Sequence, residues 1–238
     1  MKRKITITGA SSEIGLAIVR RLAGPEDELL LQYRSHPEAC EELVRGRGES
    51  RAIKADLAIP SELAAFCALL DGTDILVNAA AVTRTGLLPE LTGEDISSMV
   101  AVNVRALTDI CAAVIPSMCV RRSGIIVNIS SITASRAARG QSVYAGTKGY
   151  TESFSRALAA EYSSRGVRVN CVAPGAIEAG TLKELLAYGE KEVKAAVTMG
   201  RLGTTADVAE AVNFLCGEGS GFITGQVLHV DGGFRQGL

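Results

Sequence analysis

Short runs of consecutive apolar, mostly β-branched residues recur along this chain, and nearly every one is followed by a longer stretch of helical period. The runs fall at residues 5–8, 29–33, 51–55, 75–78, 125–129, 167–172 and 227–230. They lack the polar alternation of a strand with one wet face, so they predict strands buried on both sides. The helical stretches fall near 14–23, 38–46, 61–70, 93–119, 143–164 and 205–217. Strand–helix alternation from end to end predicts an α/β fold, a doubly wound, seven-stranded parallel sheet with helices on both faces. The one long interval without a strand is residues 176–203, and a segment of that kind after a late strand is expected to cover a substrate.

No repeat, linker or low-complexity stretch divides the 238 residues, so residues 1–238 are expected to form a single domain. At 47% hydrophobic the chain can bury a large core without staples. The formal net charge is −1 and no block of like charge stands out. A nucleic-acid partner or an anionic membrane needs a basic footprint, so neither is expected. The basic start at Lys2-Arg3-Lys4 is not followed by a long apolar run, and no apolar stretch reads as a membrane span. The expected location is the cytoplasm. Six cysteines show no Cys-x-x-Cys pair and no His at zinc-ligand spacing, so reduced thiols and no metal are expected. His36 reads as a loop residue and His229 as part of the last strand.

Two constellations carry chemistry. The first is Thr8-Gly9-Ala10-Ser11-Ser12-Glu13-Ile14-Gly15, between the first strand and the first helix. A tight turn there aims backbone N–H groups and the positive end of a helix at an anion. Gly9 permits the turn and Gly15 close helix–sheet packing. Ser11 and Ser12 can cap the helix or bond a phosphate. The second joins Tyr144 and Lys148, four apart on one helix face, to Ser131, just past the end of the fifth strand. Ligands of open α/β sheets bind at that carboxyl edge. Carbonyl reduction needs a proton donor at oxygen while hydride reaches carbon. A neighbouring ammonium favours the phenolate of a tyrosine, and a serine hydroxyl can hold the substrate oxygen. Taken alone, a Tyr/Lys pair at this spacing also fits an ordinary surface pair.

Together these segments resemble the short-chain dehydrogenases/reductases. The turn is similar to their Thr-Gly-x-x-x-Gly-x-Gly motif, with Glu13 in place of the middle glycine. Val127-Asn128-Ile129-Ser130-Ser131 and Tyr144-Ala145-Gly146-Thr147-Lys148 resemble the active-site serine segment and the Tyr-x-x-x-Lys motif, and Asn103 matches the helix asparagine. The resemblance covers residues 4–234 and implies a Rossmann-type fold with Asn103, Ser131, Tyr144 and Lys148 as the catalytic set. In that reading Asn103 holds a water in a relay to Lys148, which also bonds the nicotinamide ribose. The implied cofactor contacts run through Gly9, Ser11, Ser12, Glu13, Ile14, Gly15, Arg34, Ser35, Asp56, Leu57, Asn78, Ala79, Ala80, Tyr144, Lys148, Pro174, Gly175 and Ile177. Glu13 is expected to point away with the cofactor still bound. Ala79 and Ala81 replace the second Asn and the Gly of an Asn-Asn-Ala-Gly segment. Ala179 replaces a threonine that bonds the carboxamide in relatives, so either Thr181 substitutes or that bond is missing.

Relatives that prefer NAD end the second strand with Asp, whereas this chain has Tyr33, Arg34 and Ser35. A cation there suits a 2′-phosphate, so NADP(H) is expected, with NAD(H) as the alternative. The C-terminal segments Gly200-Arg201-Leu202-Gly203 and residues 223–233 resemble those of 3-oxoacyl-(acyl-carrier-protein) reductases. The implied reaction is reduction of a 3-oxoacyl thioester. Arg122 and Arg165 match positions that meet the acidic carrier protein in those reductases. Relatives imply a homotetramer. The alternatives are a dehydrogenase of another alcohol, sugar or cyclic ketone, and a nucleotide-binding scaffold without turnover.

Overall fold

The computed structural model describes residues 2–136, 139–180, 191 and 193–234. Seven parallel strands form one sheet in the order β3-β2-β1-β4-β5-β6-β7. They are β1 (Lys4–Thr8), β2 (Glu28–Tyr33), β3 (Arg51–Lys54), β4 (Ile75–Asn78), β5 (Gly124–Ile129), β6 (Val167–Pro174) and β7 (Val227–Val230). The helices are α1 (Glu13–Leu22), α2 (Glu38–Val44), α3 (Pro60–Cys67), α4 (Gly93–Val100), α5 (Leu107–Arg121), α6 (Ser142–Tyr162) and α7 (Thr205–Cys216). Element types agree with the alternation in the sequence. Boundaries shift by up to three residues: α3 stops at Cys67 and β6 continues to Pro174.

Successive strand residues feed two different cores. Ile5, Ile7, Leu29, Leu31, Ile75 and Val77 pack with Ile18 and Val19 of α1 and Val208 and Val212 of α7. Leu30, Leu76, Ile126 and Val169, one residue out of step, pack with Phe66 of α3 and Ile110 and Val114 of α5. Side chains alternate across a strand, so a sheet covered on both faces needs apolar residues at consecutive positions. That is why these runs look continuous rather than alternating.

A polar seam crosses the second core. Asn78 and Asn128 are register partners at the carboxyl ends of β4 and β5. Asn78 Nδ2 donates to Asn128 Oδ1 at 2.8 Å, and Asn128 Nδ2 donates to Ser155 Oγ at 2.7 Å. These bonds tie the sheet to α6 directly below the catalytic edge.

Residues Gly93–Arg121 form one helical run of 29 residues, long and apolar enough to cross a membrane by length and composition. This corrects the expectation that no stretch reaches that length: a run interrupted by charges still has a mean hydropathy of 1.6 over its most apolar window. Half of that window is buried inside the protein. Met99, Val102, Ala106, Ile110, Val114 and Met118 are buried, so the run serves as a core helix. Its middle, Ala101–Ala106, is a π-helical turn joining α4 to α5. Of the interval 176–203, the described part touches strand-like partners only at Ile177, which pairs with Gly203, and at Val197, which pairs with Phe234.

Candidate active site

β1 lies between β2 and β4, and the chain order reverses there. Such a reversal opens a crevice at the carboxyl ends of the strands. The Gly9 turn rises from that point. Gly9 has φ +63°, and a Cβ on it would lie 2.7 Å from Ala80 Cα. A Cβ on Gly15 would press on the Gly9 carbonyl, so the first turn of α1 sits directly on the loop. Ser12 is the N-cap: its Oγ accepts from Gly15 N–H at 3.0 Å and donates to the Gly9 carbonyl at 2.8 Å. The cap is therefore the role realised by Ser12. The N–H groups of Ser11 and Ile14 make no hydrogen bond among the described residues. A helix start with spare donors fits a phosphate group.

Glu13 opens α1, and its position differs from expectation. Rather than turning away, its Oε2 accepts the Gly180 N–H at 2.7 Å, reaching the segment that follows β6. Arg34 and Ser35 are exposed just past the end of β2. Asp56 folds back on its own turn, accepting from Ala58 N–H at 2.9 Å, while Leu57 is buried. The Asn78 side chain faces the interior, Ala80 N–H donates to Thr8 Oγ1 at 3.2 Å, and Ala79 packs on the first core. Pro174 ends β6. A Cβ on Gly175 would lie 2.7 Å from Asp231 Cα, and Ile177 is buried. Thr181 lies outside the described residues.

The three residues of the second constellation and Asn103 come from three elements. Ser131 follows β5. Its Oγ accepts from Thr133 N–H at 3.3 Å and from Thr133 Oγ1 at 3.0 Å, so its own proton is directed elsewhere. Tyr144 and Lys148 sit in the first two turns of α6, with Lys148 Nζ 5.7 Å from the Tyr144 ring centre. Burial pushes the Tyr144 phenol up to about 12, and the adjacent Ser131 hydroxyl pulls the other way. Burial brings the Lys148 ammonium down to about 8, with Cys171 beneath it pulling up. Lys148 is 3% exposed, and Nζ donates to the Ile129 carbonyl at 2.8 Å. Asn103 lies in the π-helical turn. Its Oδ1 accepts from Val82 N–H at 2.8 Å, and its Nδ2 donates to the Val82 carbonyl at 2.8 Å and to Thr147 Oγ1 at 3.0 Å. It braces the loop after β4 against α6, and its side chain makes no direct hydrogen bond to Lys148.

Some residues that build this edge carry no motif. Gln32 is 2% exposed; its Oε1 accepts from Gly9 N–H at 2.8 Å and its Nε2 donates to the Ala55 carbonyl at 2.7 Å. A single amide in an otherwise apolar strand run was the available signal. Glu152 is 7% exposed and accepts from Ser130 Oγ at 3.1 Å and from Arg156. On a helix of mixed polarity it reads as a surface acid. Arg136, in the loop after Ser131, pairs with Asp231 at 2.8 Å and bonds the Phe234 carbonyl, tying that loop to the chain beyond β7. Arg122 precedes β5 and Arg165 precedes β6, both exposed, at the opposite end of the sheet from Tyr144. All six cysteines are free thiols.

Comparison with known proteins agrees with this geometry. A family model described as Enoyl-(Acyl carrier protein) reductase matches residues 9–235. The chain is 35% identical over 236 residues to a 3-oxoacyl-(acyl-carrier-protein) reductase FabG of Chlamydia trachomatis, covering 95% of each chain. A solved short chain dehydrogenase/reductase family protein superposes with a TM-score of 0.89 at 32% identity, covering 97% of this chain and 96% of that one. A structure described as an NAD(P) dependent gluconate 5-dehydrogenase from Beutenbergia cavernae, with NADP bound at low occupancy, gives a TM-score of 0.89 at 33% identity over 97% and 96%. Matched over nearly its whole length, the chain that sets a Tyr/Lys pair beside a strand-end serine and a glycine turn at the reversal of a parallel sheet belongs to the short-chain dehydrogenase/reductase family of NAD(P)-dependent oxidoreductases.

Proposed function

We propose that this oxidoreductase is an NADP(H)-dependent reductase of a 3-oxoacyl thioester, carried on acyl carrier protein or coenzyme A, giving the (3R)-hydroxyacyl form. The observation that carries the reading is half-buried Tyr144 beside buried Lys148, next to Ser131 at the carboxyl edge. The likeness to FabG supports the substrate class. Exposed Arg34 and the NADP in a related structure support the cofactor.

When bound, the nicotinamide supplies hydride to the carbonyl carbon. The residues around it handle the oxygen. Ser131 Oγ is held by Thr133 so that its own proton is free to donate to that oxygen. Tyr144, raised to about 12, is protonated at neutral pH and is the proton donor that reduction needs. Lys148 beside the ring stabilises the phenolate that results. Asn103 fixes the loop and helix between which a proton-relay water would lie. Spare N–H groups at the start of α1 hold the pyrophosphate, and Arg34 takes the 2′-phosphate.

A homotetramer is part of the proposal. β7 is an unpaired sheet edge with exposed Phe214, Phe222 and Leu228 around it. Carrier-protein docking through Arg122 and Arg165 belongs with the tetramer. The edge that carries them lies about 20 Å, the length of β5, from the same chain's Tyr144. A second reading, a sugar or alcohol dehydrogenase, is favoured by the gluconate dehydrogenase likeness.

The test is a titration of NADPH against NADH on wild type and Arg34→Ala. It is followed by assays with acetoacetyl thioester, crotonyl thioester and gluconate. Tighter NADPH binding that collapses in Arg34→Ala, with turnover of the acetoacetyl compound alone, supports the proposal. Preference for NADH, or turnover of gluconate, moves it to the second reading. Biological activity that survives Tyr144→Phe points to a scaffold.

A further inference from the structure

The contact between Glu13 and Gly180 joins residues 167 positions apart and brings a carboxylate to the mouth of the phosphate-binding turn. The chain leading to Gly180 is anchored independently. Gly203 N–H donates to the Ala176 carbonyl at 2.9 Å, and Glu178 N–H donates to the Gly203 carbonyl at 2.8 Å. Ile177 is 5% exposed in the first core. Residues 176–178 are therefore pinned whether or not Glu13 is present. Gly180, two residues on, is held across to α1 by the Glu13 carboxylate.

Glu13 is also the first residue of α1, where an anion is favoured by the positive end of the helix. The turn below it is closed. Ser12 is committed to the cap, Gly9 and Gly15 are in tight contact with their neighbours, and spare donors remain on Ser11 and Ile14. A carboxylate and a dinucleotide pyrophosphate are both anions favoured at the start of the same helix. Bringing both to one short turn sets like charges a few ångström apart.

We propose that the Glu13 carboxylate is a built-in stand-in for the cofactor's phosphate. It supplies the negative charge at the start of α1 in the cofactor-free protein and clasps Gly180 across the site, and the dinucleotide binds by displacing it and releasing Gly180. This rests on the reading of the turn as the dinucleotide site. Glu13 then sets cofactor affinity and exchange, while Ser131, Tyr144 and Lys148 carry the chemistry.

The experiment compares wild type, Glu13→Gln and Glu13→Gly by two measurements. NADPH and NADH are titrated through the emission of the nicotinamide itself, since the chain has no tryptophan to report binding. Hydrogen exchange is followed at the Gly180 amide without cofactor. Glu13→Gly is expected to bind NADPH about tenfold more tightly, the effect of one like charge removed from a partly wetted site. Its Gly180 amide should exchange faster than in wild type. Glu13→Gln keeps an acceptor but loses the charge, so it should gain affinity with less change in exchange. NADPH affinity in Glu13→Gly that is unchanged or weaker overturns the stand-in, as does unchanged exchange at Gly180. If none of the three proteins binds either nucleotide, the dinucleotide reading falls and the stand-in with it. A faster Gly180 amide in Glu13→Gly would then show that the reading failed and not the contact.

Discussion

Replacing Lys148 with methionine should abolish turnover and yet make the protein more stable at neutral pH. Lys148 is almost fully buried, and burial takes its pKa from 10.5 to about 8. A folded-state value below the unfolded one means that the unfolded chain holds more protons between about pH 8 and 10.5, so stability rises with pH across that window. Below the window the full cost of the buried ammonium is present. About 2.5 pH units at 1.36 kcal/mol each is roughly 3 kcal/mol. Methionine has similar length and no charge, but it loses the bond from Nζ to the Ile129 carbonyl, worth about 1 kcal/mol. Lys148→Met should therefore be about 2 kcal/mol more stable at pH 7 and near parity at pH 9.5, where the lysine cost has fallen to about 1 kcal/mol. Urea unfolding of both proteins from pH 6.5 to 9.5 measures this. Taking the difference cancels the titrations of buried cysteines remote from Lys148, such as Cys111 and Cys216. A variant no more stable than wild type at pH 7, with a difference flat in pH, refutes the reasoning. It would mean that the ammonium is solvated where it sits.

Three further outcomes follow from the site. Tyr144→Phe should lower turnover at least about 100-fold and leave NADPH binding intact, since the phenol acts on the substrate oxygen and the ring stays in place; steady-state rates and a cofactor titration check this. Glu152→Ala should cost about 1–2 kcal/mol in urea unfolding, because buried Ser130 keeps only its longer bond to the Lys148 carbonyl and Arg156 loses its partner; Glu152→Gln should recover part of it. Gly15→Ala forces a Cβ onto the Gly9 carbonyl, so it should lower the melting temperature and weaken dinucleotide binding together.

The sheet was legible because burial on both faces writes itself into consecutive residues, as in Leu29-Leu30-Leu31, whose neighbours feed opposite cores. The catalytic edge was legible because its groups lie in short local patterns: Tyr144 and Lys148 one helical turn apart, Ser131 at a strand end. What escaped depends on distance in sequence or on a changed period. Glu13 reads as an ordinary first-turn acid, and nothing local foretells a partner at Gly180. Glu152 sits on a helix whose one other acid, Glu161, is exposed, and only the fold buries it. The stretch 93–119 was legible as a helix, but its apolar length was not, because Asp95, Arg105 and Asp109 break the hydrophobic run; they pair with Arg84 or with each other on its outer side.

The π-helical turn at Ala101–Ala106 makes chain length a determinant of the site. It accommodates one residue more than a regular helix over the same span. Deleting that extra residue would let α4 and α5 join as one regular helix with their apolar faces still in register. The wide turn would close, and Asn103 would leave the Val82 backbone and Thr147. A one-residue gap here therefore spares the core helix and removes the bracing of the site. Within the family, the helix length between Thr92 and Arg121 should be conserved more strictly than the side chains along it.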